Sequence, residues 1–198
     1  MADKQTIEVY DAQTDSYRAL VDKLPEYESI NRFLSLLPPH GLVLDFGCGV
    51  GNCAHAMAQQ GFSLVCVDAS EQMVQAARDL YDLDARQATF ADLDDVNRFD
   101  GVWANFSLLH AAHADIHDHL AAVFRALQPG GCLYIALKAG QGAQRDKLGR
   151  LYAYYSEGEM RENLANAGFE VIDATGGRAQ GLAGDVEEWF GLFCRKPG

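Results

Sequence analysis

The sequence predicts an α/β fold in which helices cover both faces of a doubly wound, mostly parallel seven-stranded sheet. From Leu42 onward, short apolar runs alternate with amphipathic stretches, a pattern typical of repeated β-α units. The run 132–137 (CLYIAL) is almost wholly apolar, as expected of a strand that is buried on both faces. The segment 175–186, between the last two strands, lacks a helical pattern, which indicates that the last strand pairs antiparallel at one edge.

The individual elements follow from local patterns. Strands are predicted at 42–46, 62–67, 85–88, 99–104, 132–137, 169–174 and 188–195. Ser70 can cap a helix that carries Met73, Ala77 and Leu80 on one side. Three further helices are predicted at 52–60, at 115–127, where Pro129-Gly130-Gly131 follows, and from a capping box at Ser156 and Glu159 to Gly168.

The first 40 residues form a separate segment. Helical periodicity predicts one helix at 14–24 and another at 26–37, which Pro38-Pro39 ends. Because both precede the first strand, we expect them to lie over the ligand edge or one face of the sheet. The expected organisation is a helical lid at 1–40 and a binding domain at 41–198, together forming one compact unit.

Composition restricts the classes of partner. The 198 residues include 16 Lys and Arg against 28 Asp and Glu, a net charge of −12, with no basic run, which argues against a nucleic-acid substrate. No signal-peptide pattern and no apolar run of membrane-spanning length is visible, so we expect a soluble, cytoplasmic protein with no membrane partner. The cysteines have no C-x-x-C spacing and favour buried free thiols; they are Cys48, Cys53, Cys66, Cys132 and Cys194.

A glycine-rich turn follows the first predicted strand. In the run 45–51 (DFGCGVG), glycines stand at every second position from Gly47, where an open α/β sheet binds a nucleotide-like ligand. A tight structural turn is the alternative reading. Asp68 ends the second strand, 17 residues after Gly51, where its carboxylate can accept hydrogen bonds from both hydroxyls of a ribose. The alternative for Asp68 is capping of the next helix, a place that Ser70 already fills.

The spacing separates two classes of cofactor. A dinucleotide fingerprint needs glycine at 52, where Asn52 stands. The pattern D-x-G-x-G-x-G with Asp68 instead resembles the class I S-adenosylmethionine (SAM)-dependent methyltransferases, which have a Rossmann-like sheet with a reversed last strand. The segments 90–93 (FADL), 99–105 (FDGVWAN) and 127–133 (LQPGGCL) extend the resemblance. Within that family the chain is most similar to small bacterial members of the tellurite-resistance and ubiquinone-biosynthesis-like type.

The resemblance implies SAM as the cofactor and S-adenosyl-L-homocysteine (SAH) as its product. It implies that the loop glycines meet the methionine portion, that Asp68 holds the ribose and that the segment 90–93 meets the adenine. The positions it assigns to the cofactor are Asp45, Gly47, Gly49, Gly51, Asp68, Ala69, Met73, Asp92, Leu93 and Asn105. Independently of the family, three carboxylates suit a ligand that carries a sulfonium and an ammonium group.

Several residues are candidates for contact with the acceptor. His110, just past the fourth strand, is a candidate general base for the proton of the acceptor, although it can equally only shape the pocket. The other candidates lie in two segments, where surface exposure or packing is the alternative; they are Tyr10, Tyr17, Arg18, Arg150 and Tyr152. His113 and His117 have helical i, i+4 spacing near His119, but Asp115 is placed to cap that helix, so we expect no metal site.

Three alternative functions are compatible with these sequence features. The first is methyl transfer from SAM to a small-molecule acceptor by in-line displacement, because no extra domain is available to grip a macromolecule. The second is SAM binding without catalysis, because methyl transfer needs so little dedicated chemistry. The third is a nicotinamide-dependent oxidoreductase on a related fold, against which Asn52 argues.

Overall fold

A computed structural model describes residues 3–21 and 27–198 of the chain. Its strands are β1 (Leu42–Phe46), β2 (Ser63–Asp68), β3 (Ala85–Gln87), β4 (Phe99–Asn105), β5 (Leu127–Lys138), β6 (Ala143–Arg145), β7 (Leu151–Ala153), β8 (Glu170–Gln180) and β9 (Val186–Arg195). Its α-helices are α1 (Lys4–Ala12), α2 (Thr14–Val21), α3 (Tyr27–Leu34), α4 (Asn52–Ala58), α5 (Glu71–Tyr81), α6 (Ile116–Ala126) and α7 (Glu157–Asn166).

Seven of the strands form one sheet in the order β3-β2-β1-β4-β5-β9-β8. The strands β1 to β5 run parallel to one another, and β9 runs antiparallel to both β5 and β8. The predicted doubly wound sheet with a reversed last strand is therefore confirmed. The edge hairpin is longer than expected, because 175–180 pairs with β9 and only 181–185 is left as the turn.

Both faces of the sheet are covered, and the apolar run in β5 shows why. Leu133, Ile135 and Leu137 belong to one hydrophobic cluster, whereas the alternate residues Cys132, Tyr134 and Ala136 belong to another on the opposite face. On the second face α3 packs the Phe33 ring 5.3 Å from that of Trp103, measured between centroids. The prediction of a strand buried on both sides is confirmed.

The N-terminal segment has one more helix than expected, and the ends of its helices differ from the predicted ones. The helix α1 was not predicted; the Asp3 carboxylate caps it by accepting the Thr6 N–H at 2.9 Å. The helix predicted at 14–24 is observed as α2, and 22–26 lies outside the described residues. The second predicted helix ends at Leu34 rather than at residue 37.

Two other local predictions need correction. The short hairpin of β6 and β7 was missed, because its first strand is polar and fully exposed. The helix α6 ends at Ala126 and β5 begins at Leu127. Pro129-Gly130-Gly131 therefore lies within β5 rather than directly after the helix. The Ser70 cap is confirmed, since its Oγ accepts the Met73 N–H at 3.1 Å.

The five cysteines are all free and buried. Among the helices in the described ranges, none combines the length and the apolar character needed to cross a bilayer.

We predict that Gly51→Ala destabilises the protein more than Gly130→Ala. Both glycines have positive φ angles, 86° and 78°. A Cβ at Gly51 would lie 2.6 Å from Leu83 Cδ1 and 3.0 Å from Ala77 Cβ, whereas a Cβ at Gly130 meets open space. Backbone strain costs each variant about 1–2 kcal/mol, and overpacking adds about 1–3 kcal/mol at Gly51 alone. Urea denaturation measures the difference, and equal losses would contradict the packing argument.

Candidate functional site

Two adjoining cavities open at the carboxyl ends of the parallel strands. The first lies between the loop after β1, the end of β2, the turn 89–91 and α1. The second, of about 460 Å³, lies between the ends of β4 and β5, the helix α2 and the β8–β9 hairpin. Five residues line both cavities and form their common wall: Tyr10, Tyr17, Gly47, Asn105 and Phe106.

The glycine loop packs closely against neighbouring backbone. Gly47 and Cys48 both donate their N–H groups to the Val67 carbonyl at 2.9 Å. A Cβ at Gly47 would come within 2.3 Å of Ser107 Cβ, and the φ of Gly47 is 89°, so glycine is required here. Gly47 and Gly49 line the first cavity, whereas Gly51 is the N-cap of α4 and lies outside the lining.

Asp68 lies on the wall of the first cavity. One carboxylate oxygen accepts the Gly49 N–H and the other accepts the Ser70 N–H, each at 2.9 Å. Each oxygen keeps a second lone pair for a ligand. Burial raises the pKa of this carboxyl, and the negative charge of Asp11 raises it further.

Of the other positions assigned to the cofactor, four line a cavity and two do not. Ala69, Met73 and Asn105 line the first cavity, and Asp45, which is 2% exposed, lines the second. Asp92 and Leu93 lie outside the lining of both cavities.

The local role of Asp92 explains its position. One of its carboxylate oxygens accepts both the N–H and the hydroxyl of Thr89 at 2.7 Å, and the Thr89 hydrogen bonds lower the pKa of Asp92. From this segment, Thr89, Phe90 and Ala91 line the first cavity instead.

His110 belongs to a chain of hydrogen bonds that joins three candidate residues. The Arg150 guanidinium is bonded to Asp146 and donates to the Tyr10 hydroxyl at 2.9 Å. Tyr10 therefore has its proton free to donate to His110 Nε2, at 2.8 Å, while His110 Nδ1 donates to the Leu151 carbonyl at 2.6 Å. The lone pair that a general base would use is thus engaged by Tyr10.

The neighbouring acceptor candidates are distributed unevenly. The Tyr152 ring packs 4.6 Å from that of His110 and lies under the Lys138 ammonium at 3.8 Å, with distances taken to ring centroids. Tyr17 meets Tyr10 edge to face at 5.7 Å and approaches Gly49. Arg18 is exposed and lies outside the lining of both cavities.

The remaining histidines do not form a cluster. His113 stacks on Tyr155 and hydrogen-bonds to the Gly142 carbonyl, and His119 lies against Phe90 on the wall of the first cavity. Within the described ranges no group of three or more His, Cys, Asp or Glu side chains is arranged to hold a metal ion.

Sequence reasoning found Tyr10 in α1 but missed Asp11 of the same helix, Phe106 after β4 and Trp189 of the edge hairpin. Asp11 accepts the Ser70 hydroxyl at 2.6 Å and fastens α1 to the start of α5. Trp189 and Phe106 line the second cavity. Phe106 carried one signal, because it directly follows the predicted fourth strand, where ligand-binding residues collect.

We predict that Tyr10→Phe destabilises the protein by about 1–3 kcal/mol, because it leaves His110 Nε2 without its donor inside the protein. Tyr155→Phe is the matched control. Its buried hydroxyl has no hydrogen-bond partner among the described residues, so its removal should be neutral or stabilising. Urea denaturation measures both variants, and equal effects would show that the Tyr10–His110 bond contributes nothing.

We also predict that the stability of the protein falls more steeply with acid than that of His110→Gln. Burial lowers the pKa of His110 from 6.5 to about 3, whereas the unfolded chain takes up the proton near 6.5. The stability that the neutral imidazole contributes is therefore complete above pH 6.5 and is lost as the pH falls toward 3. The extra slope should approach 1.4 kcal/mol per pH unit, roughly the limit for one proton. Denaturation curves from pH 7 to 4.5 measure it, and parallel profiles would contradict it.

Comparison with known proteins agrees with this geometry. Residues 43–131 match a family model described as a methyltransferase domain. The chain is 33% identical over 130 residues to the carboxy-S-adenosyl-L-methionine synthase of Aliivibrio fischeri, covering 58% of this chain and 54% of that protein. It is 34% identical over 107 residues to the ubiquinone biosynthesis O-methyltransferase of Caulobacter vibrioides, covering 50% of this chain and 42% of that protein. The chain thus spans about half the length of the curated relatives it matches.

A solved structure extends the likeness over nearly the whole chain. The 1,6-didemethyltoxoflavin-N1-methyltransferase of Burkholderia thailandensis, solved with 1,6-didemethyltoxoflavin and SAH, superposes with a TM-score of 0.71 at 23% identity. The superposition covers 96% of this chain and 88% of that one, and it shows a shared fold. The match of residues 43–131 to a methyltransferase domain and the shared fold together make this chain similar to the SAM-dependent methyltransferases.

Proposed function

We propose that this protein is a SAM-dependent methyltransferase that transfers a methyl group to a small-molecule acceptor. The observation that carries the proposal is the pair of cavities with a common wall at the glycine loop. Transfer from a cofactor to an acceptor needs two compartments that meet at the reacting atom. The first cavity, with Asp68 bonded to Gly49, suits the nucleoside end of the cofactor, and the second suits the acceptor.

The residues present fit SAM. Asp45 and Asp68 line the cavities with carboxylates that favour a ligand carrying ammonium and sulfonium groups and disfavour a phosphate-bearing cofactor. Ser107 Oγ and Trp103 Nε1 are buried polar atoms with no hydrogen-bond partner within 3–21 and 27–198, and both residues line a cavity. A bound ligand can satisfy such atoms.

When bound, SAM supplies an electrophilic methyl carbon: the lone pair of the acceptor forms the new bond, the C–S pair returns to sulfur to give SAH, and the acceptor releases its proton. We propose that Asp68 binds the ribose hydroxyls, that Ala69 and Met73 flank the adenine, and that Asp45 lies near the ammonium group. Asn105, on the common wall, would hold the reacting end of the cofactor toward the acceptor.

The chain contributes mainly positioning and the exclusion of water. Because His110 Nε2 accepts the Tyr10 hydroxyl, we assign His110 the role of holding Tyr10 over both cavities rather than that of a base. Within the expected lid segment, α1 and α2 would then cover the site, with α1 fastened to α5 through Asp11. In-line displacement at carbon gains most of its acceleration from such alignment.

Two further features support a small acceptor in the cytoplasm. A net charge of −12 disfavours a nucleic-acid substrate, and the Caulobacter and Burkholderia proteins act, by their names, on small molecules. The five buried free thiols suit a reducing compartment.

Calorimetry with SAM, SAH and NADH tests the proposal. We expect SAM and SAH to bind and NADH to show no heat, and we expect SAH to accumulate when a panel of small acceptors is supplied with SAM. Binding of NADH in preference to SAM would indicate an oxidoreductase. Tight SAM binding with no SAH formed across the panel would favour a non-catalytic SAM-binding protein.

We predict that Asp68→Ala weakens SAM binding by about 1–3 kcal/mol, the range for hydrogen bonds to a charged group. Asp92→Ala is the matched control, because its carboxylate serves Thr89 and lies outside the lining of both cavities. Its affinity for SAM should stay within about threefold of wild type. Unchanged affinity in the Asp68 variant would refute the ribose assignment. An equal loss of affinity in both variants would show that the effect is not specific to Asp68.

A further inference from the structure

Phe106 adopts a backbone conformation that bulky residues avoid. Its φ is 52°, in the left-handed region, immediately after Asn105 at the end of β4. Its N–H donates to the Ala136 carbonyl at 3.0 Å, which holds the strained turn in place. Strained residues of this kind persist where the surroundings enforce them, and they collect at functional sites.

The strained turn places an aromatic side chain between the two cavities. Phe106 lines both of them, and its ring meets that of Trp189 edge to face, with centroids 5.6 Å apart. Trp189 lines the second cavity but not the first. The pair therefore forms a continuous aromatic wall that runs from the common wall into the acceptor side.

The rest of the second cavity is also rich in rings. Its other aromatic residues are Tyr10, Tyr17, Trp103, Tyr134 and Tyr152. Flat rings gain offset or edge contacts from such walls beyond the effect of burial alone. A saturated ring of the same outline is thicker and lacks the quadrupole, so it gains less.

The second cavity is lined by both acidic and basic side chains, and two of its cations already contact the Tyr152 ring. Lys138 and Arg150 both line it, and their cationic groups lie 3.8 Å and 5.1 Å from the centroid of the Tyr152 ring. Each has an acidic partner, Glu187 for Lys138 and Asp146 for Arg150. The aromatic face of Tyr152 is therefore already used by the protein's own cations and is not left to a ligand cation.

We propose that the methyl acceptor is a planar aromatic compound without a positive charge, and that Phe106 determines this specificity by contacting the face or edge of its ring. This inference rests on the proposed methyl transfer, because it assigns the second cavity to the acceptor. The left-handed turn aims the Phe106 side chain at the junction where the methyl group would pass.

Calorimetry on the SAH-loaded protein tests the acceptor class with matched probes. 2-Naphthol and trans-decahydro-2-naphthol share a hydroxyl group and a ring outline, and 2-naphthylmethylamine adds a positive charge at neutral pH. We expect 2-naphthol to bind about tenfold more tightly than either of the others, the ratio that corresponds to one favourable aromatic contact. Equal or tighter binding of the saturated alcohol or the amine, or no measurable binding of 2-naphthol, would overturn the proposal.

Variants of Phe106 test the residue itself. Phe106→Leu should lower the preference for 2-naphthol over its saturated counterpart by about fivefold, and Phe106→Tyr should retain it. Phe124→Leu is the control, because Phe124 packs against Phe169 away from both cavities. Affinity for SAH should stay within threefold of wild type in Phe124→Leu, and the preference of every variant is measured at saturating SAH. A wild-type preference in Phe106→Leu would remove Phe106 from the proposal.

Binding of SAH distinguishes a failure of the proposed methyl transfer from a failure of the proposed acceptor class. Failure of the wild-type protein to bind SAH would overturn the proposed function and this inference with it. Normal SAH binding combined with no preference for the flat ring would overturn this inference alone.

Discussion

The position of β1 between β2 and β4 is the constraint on which the site depends. At the carboxyl end of β1 the chain must turn with β2 on one side and β4 on the other. The Val67 carbonyl at the end of β2 accepts two N–H groups of that turn, and Ser107 after β4 leaves no space for a Cβ at Gly47. The turn therefore forms a wall that both cavities share, with Asp68 on its β2 side.

The helix α1 completes the site from above, and it is fastened at both ends of its length. Near its start, Asp3 pairs with Arg145 at 2.8 Å and the Thr6 hydroxyl accepts the Leu151 N–H at 2.8 Å. Near its end, Asp11 binds the start of α5. Between these anchors, the hydroxyl of Tyr10 lies at the centre of the buried chain that links Arg150 to His110.

The sequence was sufficient to predict the sheet because burial on both faces leaves a strong pattern. The D-x-G-x-G-x-G turn and Asp68 were also predictable, since their spacing follows from strand, turn and helix lengths. The helix α1 was not, because its polar sequence is stabilised by contacts with distant residues such as Ser70 and Leu151. The position of Asp92 within the segment 90–93 suggested a contact with the cofactor. In the structure its carboxylate accepts hydrogen bonds from Thr89 instead.

The cavity wall beyond β4 was unpredictable for a similar reason. Neither the left-handed turn at Phe106 nor its contact with Trp189 leaves a periodic signal, because the two residues meet only after β9 has paired with β5. His110 was found by its position after β4, but its engagement by Tyr10 depends on a helix that the pattern did not show. Long-range partners of this kind decide what a side chain does once local patterns have placed it.

The two tryptophans of the chain stand in different surroundings, and this gives the protein an optical property. Trp103 is 1% exposed and stacks on Tyr134 at 4.1 Å between ring centroids, whereas Trp189 is half-buried on the wall of the second cavity. Indole fluorescence shifts to longer wavelengths in contact with water. The emission of the folded chain therefore has a blue component from the buried indole and a redder one from the half-buried indole. Both tryptophans line the second cavity, so entry of a molecule there would perturb both components, whereas unfolding would shift both to longer wavelengths. The intrinsic fluorescence can thus distinguish occupancy from unfolding without an added dye.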